Sequence, residues 1–249
     1  MSEAVLAERD GAVTTLTLNR PEKRNALSAG LIDEMLSALS RAHGDGTRLL
    51  VLRGAGEGFS GGFDFGGIEA QSDGDLALRF IRVELVLQAL YHAPFATLAL
   101  VHGACYGAAA DMVCCCTRRI AATDAKFRMP GLRFGIVLGT RRLAATIGKD
   151  AARDILESSR VFGAKEALGC GFLTGLHGQD QWPGIIAEAA ASAGALPADS
   201  HRMLLARTLE DRRAEDMDAL VRSVSEPGLK WRIQDFVAAS ARKPGASRS

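Results

Sequence analysis

Residues 13–19 (VTTLTLN) alternate and are rich in β-branched side chains, the pattern of a strand, and Arg20-Pro21 ends it. Ser28 stands where a helix would be capped, and Leu31, Ile32, Met35, Leu36 and Leu39 then recur at helical spacing. His43-Gly44-Asp45-Gly46 stops that helix. Residues 49–52 (LLVL) are continuously apolar, which predicts a strand covered on both faces. A glycine-rich loop spans 54–67, and residues 75–92 place Leu76, Phe80, Val83 and Leu87 on one side of a second helix. Residues 95–101 (FATLALV) form a further buried strand, His102-Gly103 begins a turn, and residues 107–116 read as a buried helix. Short strands are expected at 120–122 and 126–128. From Arg142 onward the patterns are helical, around 149–159, 165–169, 182–193, 201–218 and 229–241, and the tail 242–249 is polar and loose by composition. Together these patterns predict a mixed α/β core, residues 1–190, and a helical C-terminal region, residues 191–249.

Composition narrows the classes. The chain has 249 residues, 47% hydrophobic and 24% charged, which excludes disordered, collagen-like and disulfide-scaffold proteins. Thirty basic against 29 acidic residues leave a net charge of +1, with no electrostatic footprint for nucleic acid or an anionic membrane. Cys105, Cys114, Cys115, Cys116 and Cys170 lack C-x-x-C spacing and read as small buried hydrophobes. Charges in MSEAVLAERDG occupy the place of a signal peptide's apolar segment, so a cytoplasmic location is expected. Residues 93–117 are apolar over a membrane-spanning length. Asp111 near their centre, with Pro94, Gly103 and Gly107, favours a buried strand, turn and helix instead.

Several familiar sites are missing. Gly54-x-Gly56 follows a strand, but a dinucleotide fingerprint needs glycine where Phe59 stands. No P-loop, H-E-x-x-H or G-x-S-x-G run occurs, and the five histidines have no metal-ligand spacing, so no metal is expected. What remains is two glycine-rich turns after buried strands, Phe59-Ser60-Gly61-Gly62-Phe63-Asp64-Phe65 and His102-Gly103-Ala104-Cys105-Tyr106-Gly107-Ala108-Ala109-Ala110-Asp111. Small residues there allow a ligand close to the main chain, and free N–H groups from two such turns form an oxyanion hole if they converge. Spacing leaves open whether they converge or are two ordinary tight turns.

The runs LNRPEKRNALSAGLIDEM, FSGGFD, LALVHGACYGAAAD and RRIAATDAKFRMPGLRFGI, in that order and with matching gaps, resemble the enoyl-CoA hydratase/isomerase family, the crotonase superfamily. Phe236 and Arg242-Lys243-Pro244 are more weakly similar to the family's ending. The resemblance implies an α/β crotonase fold of ββα turns wound into a spiral, with C-terminal helices that make a homotrimer or a dimer of trimers. It implies an acyl-CoA thioester substrate, with coenzyme A as part of that substrate and no separate cofactor. By position, the oxyanion-hole donors would be the amides of Phe63 and Ala108, where Ala108 replaces a frequent glycine. Arg24, Ala26, Leu27, Gly61, Asp64 and Phe65 match positions lining the adenine and pantetheine channel, and Lys23 and Arg24 would meet CoA phosphates. Gly66-Gly67 stands where the family often has lysine.

Asp111 matches the first catalytic carboxylate of hydratases, usually glutamate, one helical turn beyond Ala108, where apolar surroundings would raise its pKa. The second glutamate, expected after Pro130, is replaced by Gly131, and Gly139 stands where some dienoyl isomerases and dehalogenases keep aspartate. The segment 138–143 (LGTRRL) reads as a shortened loop, and His102, Tyr106, Glu84 and Arg133 are candidate substitutes for the absent carboxylate. The resemblance therefore implies a hydratase- or isomerase-like enzyme in which Asp111 alone shuttles protons. The alternatives are a decarboxylase or C–C lyase of the same fold and a non-catalytic acyl-CoA binder.

Overall fold

The structure, a computed structural model, describes residues 3–241; the tail 242–249, with its Arg242-Lys243-Pro244 similarity, lies outside the described residues. Strand β1 (Val5–Asp10) turns at Gly11 into β2 (Val13–Leu18), pairing Asp10 with Val13 in antiparallel register. Sequence patterning missed β1 because only Val5 of its residues is buried. An edge strand of this kind is held by its backbone ladder rather than by an apolar face. Helix α1 (Ala29–Ala42) begins at Ser28, whose hydroxyl accepts from the Leu31 amide, as expected of a capping serine. Strand β3 (Leu49–Gly54), helix α2 (Asp73–Tyr91) and strand β4 (Ala96–Val101) follow. Ser72 and Asp75 close a capping box at the start of α2.

Beyond β4 the chain forms β5 (Ala104–Tyr106), α3 (Ala108–Cys114), β6 (Arg118–Ala121) and β7 (Lys126–Arg128). The first sheet is β1-β2-β3-β4-β6 plus β9 (Gly175–Leu176), parallel from β2 onward. A second sheet joins β5, β7 and β8 (Phe162–Gly163). The apolar LLVL run is covered on both faces, as its composition predicts. Leu50 and Leu52 enter the main core with Ala99 and Val101, while Leu49 and Val51 face Trp182 and Ala189. The cysteines are free thiols, four of them buried.

The helical third differs from expectation in two places. Residues 138–143 are not a mere loop, because α4 (Thr140–Ile147) starts within them and α5 (Lys149–Ser158) follows. The expected single helix over 201–218 is two, α8 (Ala198–Arg207) and α9 (Arg213–Ser225), after α6 (Ala164–Gly169) and α7 (Trp182–Gly194). Between α8 and α9, Asp211 accepts from the Arg213 amide and guanidinium, a local side-chain-to-backbone bond that competes with helix. Residues 190 and 191, the expected domain boundary, both lie inside α7. Helix α10 (Leu229–Ala241) lies with α9 against α2, burying Leu220, Val224, Leu229 and Ile233 with Phe63, Phe80 and Phe134. The last helices thus roof the core instead of standing apart from it.

One buried side chain staples the loops below this roof. Asn25, with φ +50°, donates from Nδ2 to the carbonyls of Ala55, Gly58 and Phe59 and accepts from the Arg20 amide. Asn25→Ala strands those groups in a fully buried site and should cost about 3 kcal/mol in urea unfolding.

Candidate active site

The two glycine-rich turns are neighbours. Ser60 and Cys105 form a parallel bridge, in which the Ser60 amide donates to Ala104 and the Tyr106 amide donates to Ser60. Gly62, at φ +86°, packs so closely on the Tyr106 carbonyl that a Cβ would collide with it. Only glycine satisfies both demands. The Ser60 hydroxyl donates to the Asn25 carbonyl and accepts from the Gly62 amide, which ties the first turn to the Asn25 staple.

This pairing leaves two amides unused. Leu27 and Phe63 bridge through the Leu27 amide on Gly62 and the Asp64 amide on Leu27. In a parallel bridge of this pattern the intervening N–H, that of Phe63, faces the other way. Ala108 opens α3, so its amide has no intrahelical carbonyl to reach. Among the described residues, neither amide donates to a protein group.

Both residues line one cavity of about 610 Å³ of atom-free space, its open mouth included. Its walls are mostly apolar, among them Phe65, Phe80, Met129, Phe134, Ile136 and Leu138, with Tyr106, Gly131 and Gly139. Phe63 stacks on Phe80 at 4.2 Å, and the Arg79 guanidinium lies 4.2 Å above the Phe63 ring. Arg79 also donates to the Asp64 carbonyl, so it clamps the peptide that follows Phe63. Phe236 of α10 packs on Phe65 and Phe134 at 6.2 and 4.8 Å.

Asp111 is the carboxylate on this wall. It is 7% exposed, has no hydrogen-bonding partner among the described residues, and is pushed up to about 7 by burial. Arg142 pulls its pKa down and Glu84 pushes it up, both less strongly than burial. The rise expected from the sequence is thus present, and its main cause is desolvation. A Cβ on Gly139 would fall inside the Asp111 carboxylate, so the glycine is a steric requirement of that aspartate.

The other sequence candidates scatter. Arg24 and Gly61 line a second groove with Pro21, Gly58, Ser60 and Ala104, and Gly61 belongs to both this groove and the apolar cavity. Lys23 is exposed on a 3-10 turn, Ala26 accepts from Arg20 Nη1, and the Leu27 side chain is buried in the core. Asp64 turns its carboxylate to Arg20, 2.9 Å away, and to the Gly66 amide. Burial opposes ionisation there, but these hydrogen bonds hold its carboxyl below the usual range. Phe65 faces the cavity. Among the candidate substitutes, Tyr106 reaches the cavity wall. Glu84 is fully buried against Arg142, His102 is hydrogen-bonded to the Gly56 carbonyl, and Arg133 donates to Glu157 and Ser158. Sequence reasoning missed Asn25, Arg79 and the requirement for glycine at 139. An asparagine between a helix-breaking proline and a capped helix was the one visible signal, since asparagine tolerates the left-handed region.

Known proteins place the chain. A family model for enoyl-CoA hydratase/isomerase matches residues 8–226. A probable enoyl-CoA hydratase of Bacillus subtilis is 32% identical over 172 residues, 66% of each chain, so the match spans just under two thirds of that relative's length. A solved structure from Bordetella parapertussis, named for the enoyl-CoA hydratase/isomerase family, is 46% identical with a TM-score of 0.94 over 95% of this chain and 99% of its own. An enoyl-CoA hydratase/isomerase from Xanthobacter autotrophicus Py2 is 26% identical, with a TM-score of 0.84 over 96% of this chain and 94% of its own. The expected crotonase fold is therefore the fold observed. No helix among the described residues is long and apolar enough to cross a membrane.

Two outcomes follow from the Asp111 environment. Gly139→Ala should displace the Asp111 side chain and shift the Asp111 carboxyl titration, read by carbon-13 NMR. Because the folded-state pKa is raised, the native state is favoured when Asp111 is protonated, and that contribution is lost as pH rises through about 7. Asp111→Asn should therefore match the wild type in urea unfolding near pH 4 and exceed it by up to roughly 4 kcal/mol at pH 8.

Proposed function

The chain belongs to the enoyl-CoA hydratase/isomerase family, and we propose that it acts on unsaturated acyl-CoA thioesters, shifting the double bond with Asp111 as the single proton carrier. The observation that carries this reading is an unpartnered carboxylate, pushed up to about 7, in a cavity also lined by Phe63 and Ala108, whose main-chain amides donate to no protein group among the described residues. A thioester α-proton is far too weakly acidic for a carboxylate unless the enolate oxygen is stabilised. The Phe63 and Ala108 amides would supply that stabilisation, since one donor of such a hole contributes about 2.7–4 kcal/mol to lowering the barrier. Asp111 would take the proton from one carbon and return it to the other.

The neighbouring positions favour isomerisation over hydration. Water addition in this fold's two-carboxylate scheme needs a second acid, and Gly131 brings no side chain to the cavity wall. Among the described residues, Asp111 is the only carboxylate lining that cavity. The apolar walls suit an acyl chain, and the groove meeting the cavity at Gly61 suits pantetheine. Lys23 and Arg24 would meet phosphates, while Ala26, Leu27, Asp64 and Phe65 shape or support that channel. Assembly as a homotrimer or dimer of trimers belongs to the same reading.

Enoyl- and malonyl-type CoA thioesters assayed side by side test it. Enoyl turnover should rise with pH through about 7, where Asp111 ionises as the base. Asp111→Asn should lower kcat by about 10³-fold while CoA-ester affinity changes little. Near-normal turnover in that variant would refute the assignment. Preferential decarboxylation of the malonyl thioester would point to the lyase reading, and tight binding without turnover to a binding protein.

A further inference from the structure

Behind the cavity wall lies an ionic cluster that the proposed reaction does not use directly. Arg142 is fully buried, with Nη1 2.9 Å from Glu84 Oε2 and Nη2 2.5 Å from Glu84 Oε1. Nη2 also lies 3.1 Å from Asp216, which accepts in turn from Nε and Nη2 of Arg141 at 2.7 and 2.6 Å. Four helices meet there: α2 brings Glu84, α4 both arginines and α9 Asp216, while α3 carries Asp111 beside them. Arg142 Nε is buried without a hydrogen-bond partner among the described residues.

Such a cluster is a poor device for stability alone, because burying charges costs solvation that an apolar packing of the same volume avoids. Its place suggests another use. Gly139, the N-cap of α4, lies directly against the Asp111 carboxylate, and Arg142 follows one turn later on the same short helix. Fixing Arg142 between Glu84 and Asp216 therefore fixes the end of α4 on which Asp111 rests. We propose that Arg142, clamped by Glu84 and Asp216, is a positioning residue for Asp111, holding the carboxylate against Gly139 and setting the field in which its proton moves. The proposal rests on the reading of Asp111 as proton carrier.

The groups facing Asp111 support this. From α4 comes Arg142, which remains a cation, and from α2 comes Glu84. Burial pushes the Cys105 thiol of β5 and the Cys115 thiol well up, and raises Cys114 to about 11. These thiols are uncharged near neutrality, so Arg142 and Glu84 are the charges that act on Asp111 from its neighbours. Their effects on it are opposed in sign.

That opposition gives a test that a purely structural cluster would not pass. The Asp111 titration is followed in the full-length protein by carbon-13 NMR of the labelled carboxyl, alongside the pH profile of enoyl-CoA turnover. Glu84→Gln keeps one acceptor oxygen for the Arg142 guanidinium, removes the charge, and should move the midpoint down by half a pH unit or more. Arg142→Gln should move it up by a similar amount, and Arg142→Lys should return it towards the wild-type value. The pH profile of kcat should shift with each midpoint while KM changes less than about threefold. Midpoints of folded Glu84→Gln and Arg142→Gln that both stay within about 0.2 of wild type would overturn the proposal, as would shifts of the same sign in the two variants. Should Arg142→Gln fail to fold, Glu84→Gln alone decides. Full activity in Asp111→Asn would sink the assigned reaction, yet the NMR midpoints would still judge the link between Arg142 and Asp111.

Discussion

The fit of Gly62 against the Tyr106 carbonyl sets the distance between two stretches of main chain far apart in sequence, and the cavity exists because of it. Main chain can approach main chain so closely only where no Cβ intervenes. The Ser60–Cys105 bridge fixes the register of the approach, and Asn25 holds the loop beneath it through three carbonyls. Once both bends are fixed, hydrogen-bonding geometry leaves the Phe63 and Ala108 amides over. An unpaired buried amide is costly, and Phe63 and Ala108, which carry these two, both line one cavity.

The same economy of space governs charge. Asp111 sits at the seam of α3 and α4 with a glycine pressed against it and no protein donor among the described residues. A carboxylate that accepted two or three hydrogen bonds would be held low, as Asp64 is by Arg20 and the Gly66 amide. Asp64 and Asp111 therefore lie at opposite ends of carboxylate behaviour within one fold. The first is anchored and permanently charged, whereas the second is free to gain and lose a proton near neutral pH.

Much was legible in the residues. The capped α1, the doubly covered β3 and β4, the buried helix after Gly107 and the breaking of the 93–117 stretch into strand, turn and helix follow from periodicity, glycine placement and one aspartate. Family resemblance marked the two turns and Asp111. What patterning missed had little apolar signal or depended on remote partners. Strand β1 shows one buried residue, α4 begins in a segment read as a loop, and the break between α8 and α9 coincides with a local bond from the Arg213 amide to Asp211. Glu84 and Arg133 looked like candidate bases because charge in a sequence carries no information about its partner. In the fold they are fastened to Arg142 and to the carbonyls of α5.

The chain alone determined that it folds as an α/β protein, where most of its strands and helices fall, and which two bends are rich in glycine. These depend on local periodicity, caps and the conformational freedom of glycine, all written within a few residues of where they act. Only the tertiary structure decided that the bends touch, that α9 and α10 cover the apolar cluster behind the cavity through Leu220, Val224, Ile233 and Phe236, and that Arg142 lies behind Asp111. Those relations join residues separated by tens to more than a hundred positions. A buried charge takes its pKa from everything packed around it, and that packing is a property of the completed fold.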